Sequence, residues 1–313
     1  MLSILDWLLI ALYFVISLVI GLRYAKFAGK DLSHFFLGGR SLPWYLAGLS
    51  MVATTFAADT PLAVTELVAN NGVSGNWLWW NMLASGMLTT FFFANLWRRS
   101  GVLTEVELIE LRYSGPEAKF LRGFKAVYLG LFLNAMIIGW VNVAMISILE
   151  GFFGISPQLA LAITAGLMLI TAAYSSISGL MGVAVTDAIQ FIIAMLGCIV
   201  LAILVVSSEK IGGITGLTQK LPDWSLQFFP SLSNTGAAGQ SLAIGMGTFL
   251  AFVGVQWWAS WYPGAEPGGG GYVAQRFMST KDEKNAVFAT LFFQFAHYCL
   301  RPWPWILVGL AAI

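Results

Sequence analysis

The sequence predicts an all-α membrane protein, and two observations carry that expectation. The chain has 313 residues, of which 58% are hydrophobic and 10% charged, well short of the roughly 25% charged residues of a soluble domain. Its Lys and Arg also fall mostly between long apolar runs rather than within them. A helix that crosses a bilayer needs about 20 mostly apolar residues. Eight runs meet that length, at 4–22, 44–70, 76–97, 124–150, 158–178, 184–207, 240–264 and 286–313. None alternates polar and apolar residues as a membrane barrel strand does.

The basic residues set an orientation. Arg23, Lys26, Lys30 and Arg40 follow the first run, Arg98 to Lys125 follow the third, and Arg276, Lys281 and Lys284 follow the seventh. Thirteen of the sixteen Lys and Arg thus lie in these three loops, against Lys210 and Lys220 on the opposite face and Arg301 inside a run. Basic loops face the cytoplasm, so the expectation is a multi-pass protein of the cell membrane with its N-terminus outside. The lipid bilayer is then a partner, and a net charge of +1 gives no reason to expect nucleic acid. The first run lacks a basic leader and a small-residue cleavage site, so it reads as a retained helix. Cys198 and Cys299 lie in apolar runs without metal-ligand spacing and read as packing residues.

Along the chain, Thr104–Glu110 predicts a short amphipathic helix or a charged turn on the cytoplasmic side. The segment 208–239 predicts an irregular external connection, a lid candidate, with a short helix near 213–220. The short loop between the fifth and sixth runs, Tyr174 to Asp187, is rich in small residues that permit close helix approach. Asp187 opens the helix after it, where a carboxylate meets the positive end of the helix dipole; that placement serves either structure or function.

Three places put polar groups where they are costly. Ser50 to Pro61 interrupts the second run with Thr54, Thr55, Thr60, Asp59 and Pro61. Pro61 cannot donate to the Ala57 carbonyl, so the run either kinks, with its threonines bonding back, or unwinds as transporter helices do to bind ions and polar solutes. Asp59 favours the second, because intramembrane carboxylates are paired or functional. Gln256 to Tyr272 ends the seventh run with Pro263, Pro267 and a glycine cluster, around Glu266; its aromatics line a pocket or form an interfacial belt. His297 and Arg301, four residues apart, share one helix face. Arg301 is expected to pair with Asp59 or Glu266 or to reach outward, and His297 to pack or to bind. No nucleophile–base pair, zinc-type spacing or phosphate loop is present.

With these residues in view, the chain resembles the sodium:solute symporter family. The resemblance rests on Phe35 to Trp44 followed by Gly48 to Thr54, on Tyr174 to Asp187 with Gln190, and on Gln275 to Glu283. It implies a single transmembrane transporter domain over 1–313 with a LeuT-like inverted-repeat fold. An extra first helix (4–22), the complete first five-helix repeat (44–207) and the start of the second (240–313) are then present, that is, core helices one to seven. Core helices eight to ten would lie on a longer carrier. The resemblance further implies sodium as coupling ion, held by backbone carbonyls of Ala53 and Phe56 with Asp187 beside them. It places Thr55, Thr60, Asn81, His297 and the aromatics Trp261 or Tyr262 at the solute. The function implied is sodium-coupled symport of a small polar solute, sugar-like or carboxylate, and not an enzyme. The alternative from the residues alone is a membrane-embedded enzyme or sensor using His297, Arg301, Asp59 and Glu266.

Overall fold

Capping residues, glycines and prolines divide the chain into helices much as the sequence suggests. The computed structural model describes residues 4–230, 245–259 and 265–313, and those residues form helices without a strand among them. The first helix, α1 (Ile4–Ala28), runs six residues beyond the predicted end of its apolar run. Asp31 caps the short α2 (Leu32–Leu37) by accepting the His34 N–H at 2.8 Å, and Gly38 and Gly39, both at positive φ, turn the chain after it.

The second run breaks into α3 (Trp44–Thr54) and α4 (Asp59–Asn71). Thr54 and Thr55 bond back to the carbonyls of Ser50 and Val52 at 2.7 and 2.8 Å, yet the chain also unwinds between the two helices. Pro61 sits in the first turn of α4, where its missing N–H costs nothing. The third run is α5 (Trp77–Trp80), α6 (Leu83–Leu88) and α7 (Ala94–Ser100), with a π-helical stretch Thr89–Phe93 before α7. The expected amphipathic helix is α8 (Glu107–Arg112). After it, α9 (Pro116–Val127) and α10 (Asn134–Phe153) join through π-helical Tyr128–Leu133. Gly154 ends α10 in the left-handed conformation, and the Ser156–Pro157 pair starts the next helix.

That helix, α11 (Pro157–Val206), holds two predicted spans in 50 residues, and its one non-helical residue is Gly179 at φ 58 and ψ −173. This region of backbone space is open essentially to glycine alone. A Cβ there would lie 2.8 Å from the Ala28 Cβ and 3.0 Å from the Phe35 carbonyl oxygen. The expected loop is therefore a single-residue corner, and Asp187 lies two turns beyond it rather than in the first helical turn. The dipole explanation for that carboxylate fails, because the N–H groups at the helix start are too distant.

The connection after α11 carries α12 (Gly213–Lys220), the short helix expected near 213–220. Its following residues lie over the α4–α5 corner: Trp77 donates through Nε1 to the Phe228 carbonyl at 2.9 Å and stacks on Phe229. The chain then forms α13 (Met246–Ala251), π-helical Phe252–Gln256, α14 (Gly271–Ser279), α15 (Glu283–Phe295) and α16 (Trp303–Ala311). Three helical stretches, Leu8–Ala28, Pro116–Phe153 and Pro157–Val206, are long and apolar enough to cross a membrane unbroken. The runs 44–70, 76–97 and 286–313 are divided into shorter helices, and the run 240–264 lies partly outside the described residues.

The three basic loops meet at one end of the bundle. Arg40 donates to the Gly101 and Val102 carbonyls, Arg98 to those of Thr280 and Lys281, and Arg99 pairs with Glu283 through two hydrogen bonds. Leu42 and Thr280 form a parallel bridge, with Leu42 N–H donating to the Ser279 carbonyl and Lys281 N–H to the Leu42 carbonyl. Above this seam, α15 packs on α3 and α16 on α4. Small residues allow it: a Cβ at Gly48 would meet the Ala289 carbonyl at 3.0 Å, and one at Gly309 the Thr65 carbonyl at 2.8 Å.

Candidate functional site

The break between α3 and α4 organises everything polar around it. From Thr55 to Ala58 the ordinary helical ladder is lost. Phe56 N–H turns back to the Ala53 carbonyl at 2.8 Å and Thr60 N–H to Ala57 at 3.3 Å. Thr60 also donates from Oγ1 to the Thr55 carbonyl at 3.1 Å. Carbonyls so loosened retain lone pairs for a cation or solute.

One side of the break is closed by α15 and α16. Arg301, 0% exposed, donates from Nη1 to the Val52 carbonyl at 3.2 Å and to Thr55 Oγ1 at 3.0 Å. Its guanidinium lies 5.4–5.7 Å from the rings of Trp305, Phe56 and Trp79. A fixed cation thus meets the C-terminal carbonyls of α3, where the helix dipole favours positive charge, and the rings add cation–π attraction. The sequence singled out Arg301 but expected it to pair with Asp59 or Glu266 or to reach outward. The structure gives Asp59 to Trp140 instead, through an Nε1 hydrogen bond of 3.0 Å.

His297 sits on the π turn Ala296–Leu300. Pro302 causes that turn, since it cannot donate to the Tyr298 carbonyl, and Trp80 Nε1 fills the vacancy at 3.1 Å. His297 Nδ1 lies 3.0 Å from Thr55 Oγ1, and Nε2 lies 3.5 Å from Arg301 Nη2. Because Thr55 spends its proton on backbone carbonyls, Nδ1 is the donor and Nε2 the acceptor toward the guanidinium, which is the neutral Nδ1–H tautomer. The imidazole stacks on Trp79 with ring centroids 5.0 Å apart.

Two cavities flank the break. The smaller, about 330 Å³, is lined by Asp59, Thr60, Trp79, Asn81, Trp140 and Gln256 among others. The larger, about 800 Å³, is lined by Thr54, Asp59, Glu105, Trp140, Glu266 and Gln275 among others. Asp59 and Trp140 belong to both, so their hydrogen bond stands in the partition. Of the predicted solute residues, Thr60 and Asn81 face the smaller cavity. Thr55 and His297 are brought together, but behind Trp79. Trp261 and Tyr262 lie outside the described residues. Trp79 and Trp140 were missed: each sits in an apolar run where a tryptophan carries no distinguishing signal.

The predicted cation residues divide as well. Ala53 and Phe56 bracket the break. Asp187 lies one turn below, accepting from Ser50 Oγ at 2.6 Å and facing Arg276 Nη2 at 3.6 Å. Arg276 also donates to Ser50 Oγ at 3.1 Å and Thr54 Oγ1 at 3.2 Å. This buried network joins α3, α11 and α14. In the sequence Arg276 stands out as a loop charge within the Gln275 to Glu283 stretch, and its burial is not legible there because it depends on the fold of α14.

The family model for the sodium:solute symporter family matches residues 35–300. The chain belongs to that family. Its relatives include the sodium/glucose cotransporter 1 of Oryctolagus cuniculus, 26% identical over 69% of this chain and 31% of its own length. They also include the sodium/mannose cotransporter SLC5A10 of Bos taurus, 26% identical over 75% and 38% respectively. A substrate-bound, outward-open structure of a Na+-coupled sialic acid symporter superposes with a TM-score of 0.77 at 19% identity, covering 99% of this chain and 60% of that one. The chain therefore has the LeuT-like fold and is an integral membrane protein. It spans about a third of the curated relatives it matches. These relatives are cotransporters rather than enzymes, which counts against the enzyme reading. The geometry agrees with them: Asp59 and Glu266 line a cavity, while His297 and Arg301 pack against Thr55, so the four residues form no single cluster.

Proposed function

We propose that the carrier containing this chain moves a small polar solute together with sodium across the cell membrane by alternating access. The observation that carries this reading is the unwound Thr55–Ala58 stretch with a cavity on either side of it, separated at Asp59 and Trp140. Sodium would take the carbonyls of Ala53 and Phe56, a hard-oxygen environment suited to it, with the Asp187 carboxylate adding negative charge from one turn below. The solute would meet Thr60 and Asn81 directly. Thr55 and His297 would act on it through Trp79 and the shape of the unwound strand. Trp261 and Tyr262 remain candidates for the aromatic side of the same site. The basic seam faces the cytoplasm in this reading, which puts the N-terminus outside.

Coupling follows if sodium and solute favour the same conformation, since each then raises the other's affinity by an equal factor. The test is uptake into proteoliposomes containing the full carrier, with and without an inward sodium gradient. Uptake that needs the sodium gradient supports the proposal. Uptake indifferent to sodium across a broad solute panel overturns it.

A further inference from the structure

The smaller cavity also carries a preference about the kind of solute, and that inference rests on the transport reading above. Asp59 lines it with a carboxylate held by Trp140 Nε1 at 3.0 Å and Thr60 Oγ1 at 3.4 Å. Among the described residues no ion pair includes Asp59. A carboxylate inside a membrane protein that closes around its cargo needs a compensating positive charge.

Asn81 supplies a second acceptor. Its side chain is 5% exposed, and its amide N–H groups are spent on the carbonyls of Trp77 at 3.1 Å and Leu78 at 2.7 Å. Those two acceptors fix the amide orientation and leave Oδ1 on the other side, buried without a hydrogen-bond partner. A buried acceptor left unmade is costly, and Asn81 is among the residues that line the cavity. Trp79 and Trp140 also line the cavity, and aromatic rings attract cations.

The basic groups nearby do not reach this space. Arg301 is fully buried and directs Nη1 to Val52 and Thr55, and His297 lies on the far face of Trp79; neither lines the cavity. A carboxylate solute would therefore meet Asp59 without a matching cation, and a neutral polyol would leave that charge uncompensated.

We infer that the solute bears an ammonium group, which docks on Asp59 and Asn81 Oδ1 between Trp79 and Trp140. On arrival it competes with the Trp140 indole for the Asp59 carboxylate, the same hydrogen bond that stands between the two cavities.

Charge-matched probes test this. The full carrier in proteoliposomes, in the presence of sodium, is titrated with ethanolamine against ethylene glycol and glycolate, and with choline against 3,3-dimethylbutanol. Binding is read as thermal stabilisation. The ammonium member of each set should bind at least about tenfold more tightly, about 1.4 kcal/mol. Asp59→Asn should abolish that preference, and Asn81→Asp should increase it, so a poorly folded Asp59 variant still leaves a decisive measurement. Equal or better binding of the neutral or anionic members overturns the inference. So does mutually exclusive binding of sodium and the ammonium probe, which would place sodium on Asp59. Sodium-driven uptake of any solute tests symport separately, so loss of the ammonium preference and loss of symport are told apart.

Discussion

Thr55 Oγ1 and His297 Nδ1 lie 3.0 Å apart across 242 residues of sequence, and the same hydroxyl accepts from Arg301 at 3.0 Å. One small side chain therefore satisfies two buried donors from the α15–α16 junction. Thr55→Val keeps the shape and removes the acceptor. Stranding buried donors costs about 1–3 kcal/mol, so the thermal midpoint should fall, while Thr55→Ser should restore it. Equal stability of the valine and serine variants would contradict the assigned contacts.

A different split is expected between His297 and Asn81. Asn81 lines the smaller cavity, and His297 supports Trp79 from behind. Asn81→Leu should raise KM for the solute about tenfold, roughly 1.4 kcal/mol, with little change in stability. His297→Asn should lower the unfolding midpoint and affect transport through both KM and kcat. Uptake kinetics paired with thermal unfolding separate the two behaviours.

Asp187 and Arg276 form a buried pair whose side chains are 13% and 6% exposed. Removing one partner leaves an uncompensated charge, with a cost of about 3–5 kcal/mol. Asp187→Asn and Arg276→Gln should each be strongly destabilising, and the double variant less so than their sum. A double-mutant cycle on thermal unfolding measures the coupling; strictly additive effects would show that the pair is not one unit.

Gly48 and Gly309 let α15 and α16 approach the two halves of the broken helix. Alanine at Gly309 would place its Cβ 2.8 Å from the Thr65 carbonyl oxygen and 2.9 Å from the Val68 Cβ. Overpacking of this kind costs about 1–3 kcal/mol. Gly309→Ala should lower the unfolding midpoint, whereas Gly166→Ala, which meets open space, should not.

At the seam, Asp282 accepts from the Asn285 backbone N–H at 2.7 Å and from its side-chain Nδ2 at 3.0 Å. The Asn285 side-chain bond, then its backbone N–H, holds the Asp282 carboxyl below the usual range. A depressed carboxylate contributes stability above its unfolded-state value, near 3.9, and loses it as pH falls through the lower folded-state value. Asp282→Ala should therefore cost about 1 kcal/mol at neutral pH, the usual size of an N-cap. The gap between variant and parent should narrow below about pH 4; a gap constant down to pH 2 would show that charge plays no part in the cap.

Much of this architecture was legible in the residues. Pro61 and the threonines before it announced the broken helix, and the basic residues named three loops that do share one end of the bundle. Asp31, Ser156 and Asp282 cap helices in the structure but were not singled out from the sequence. Other features were hidden for physical reasons. The corner at Gly179 looked like a loop because small residues signal turns without stating their length. Asp187 looked like a helix-start acid because nothing local reveals that Arg276, 89 positions later in the numbering, folds back onto it. Trp79 and Trp140 were invisible as site residues, since aromatic residues in apolar runs are ordinary and only their juxtaposition at Asp59 sets them apart.

The Leu42–Thr280 bridge has a further consequence. Its hydrogen bonds run between main-chain atoms of Leu42, Ser279 and Lys281, so the joint reads no side chain. Point changes at these positions can alter charge and bulk while the stitch persists, and alanine scanning would pass over it. The substitution that unpicks it is proline at Lys281, which deletes the donor itself. A join of this kind leaves evolution free to rewrite the surface of both segments while the two stay fastened to each other.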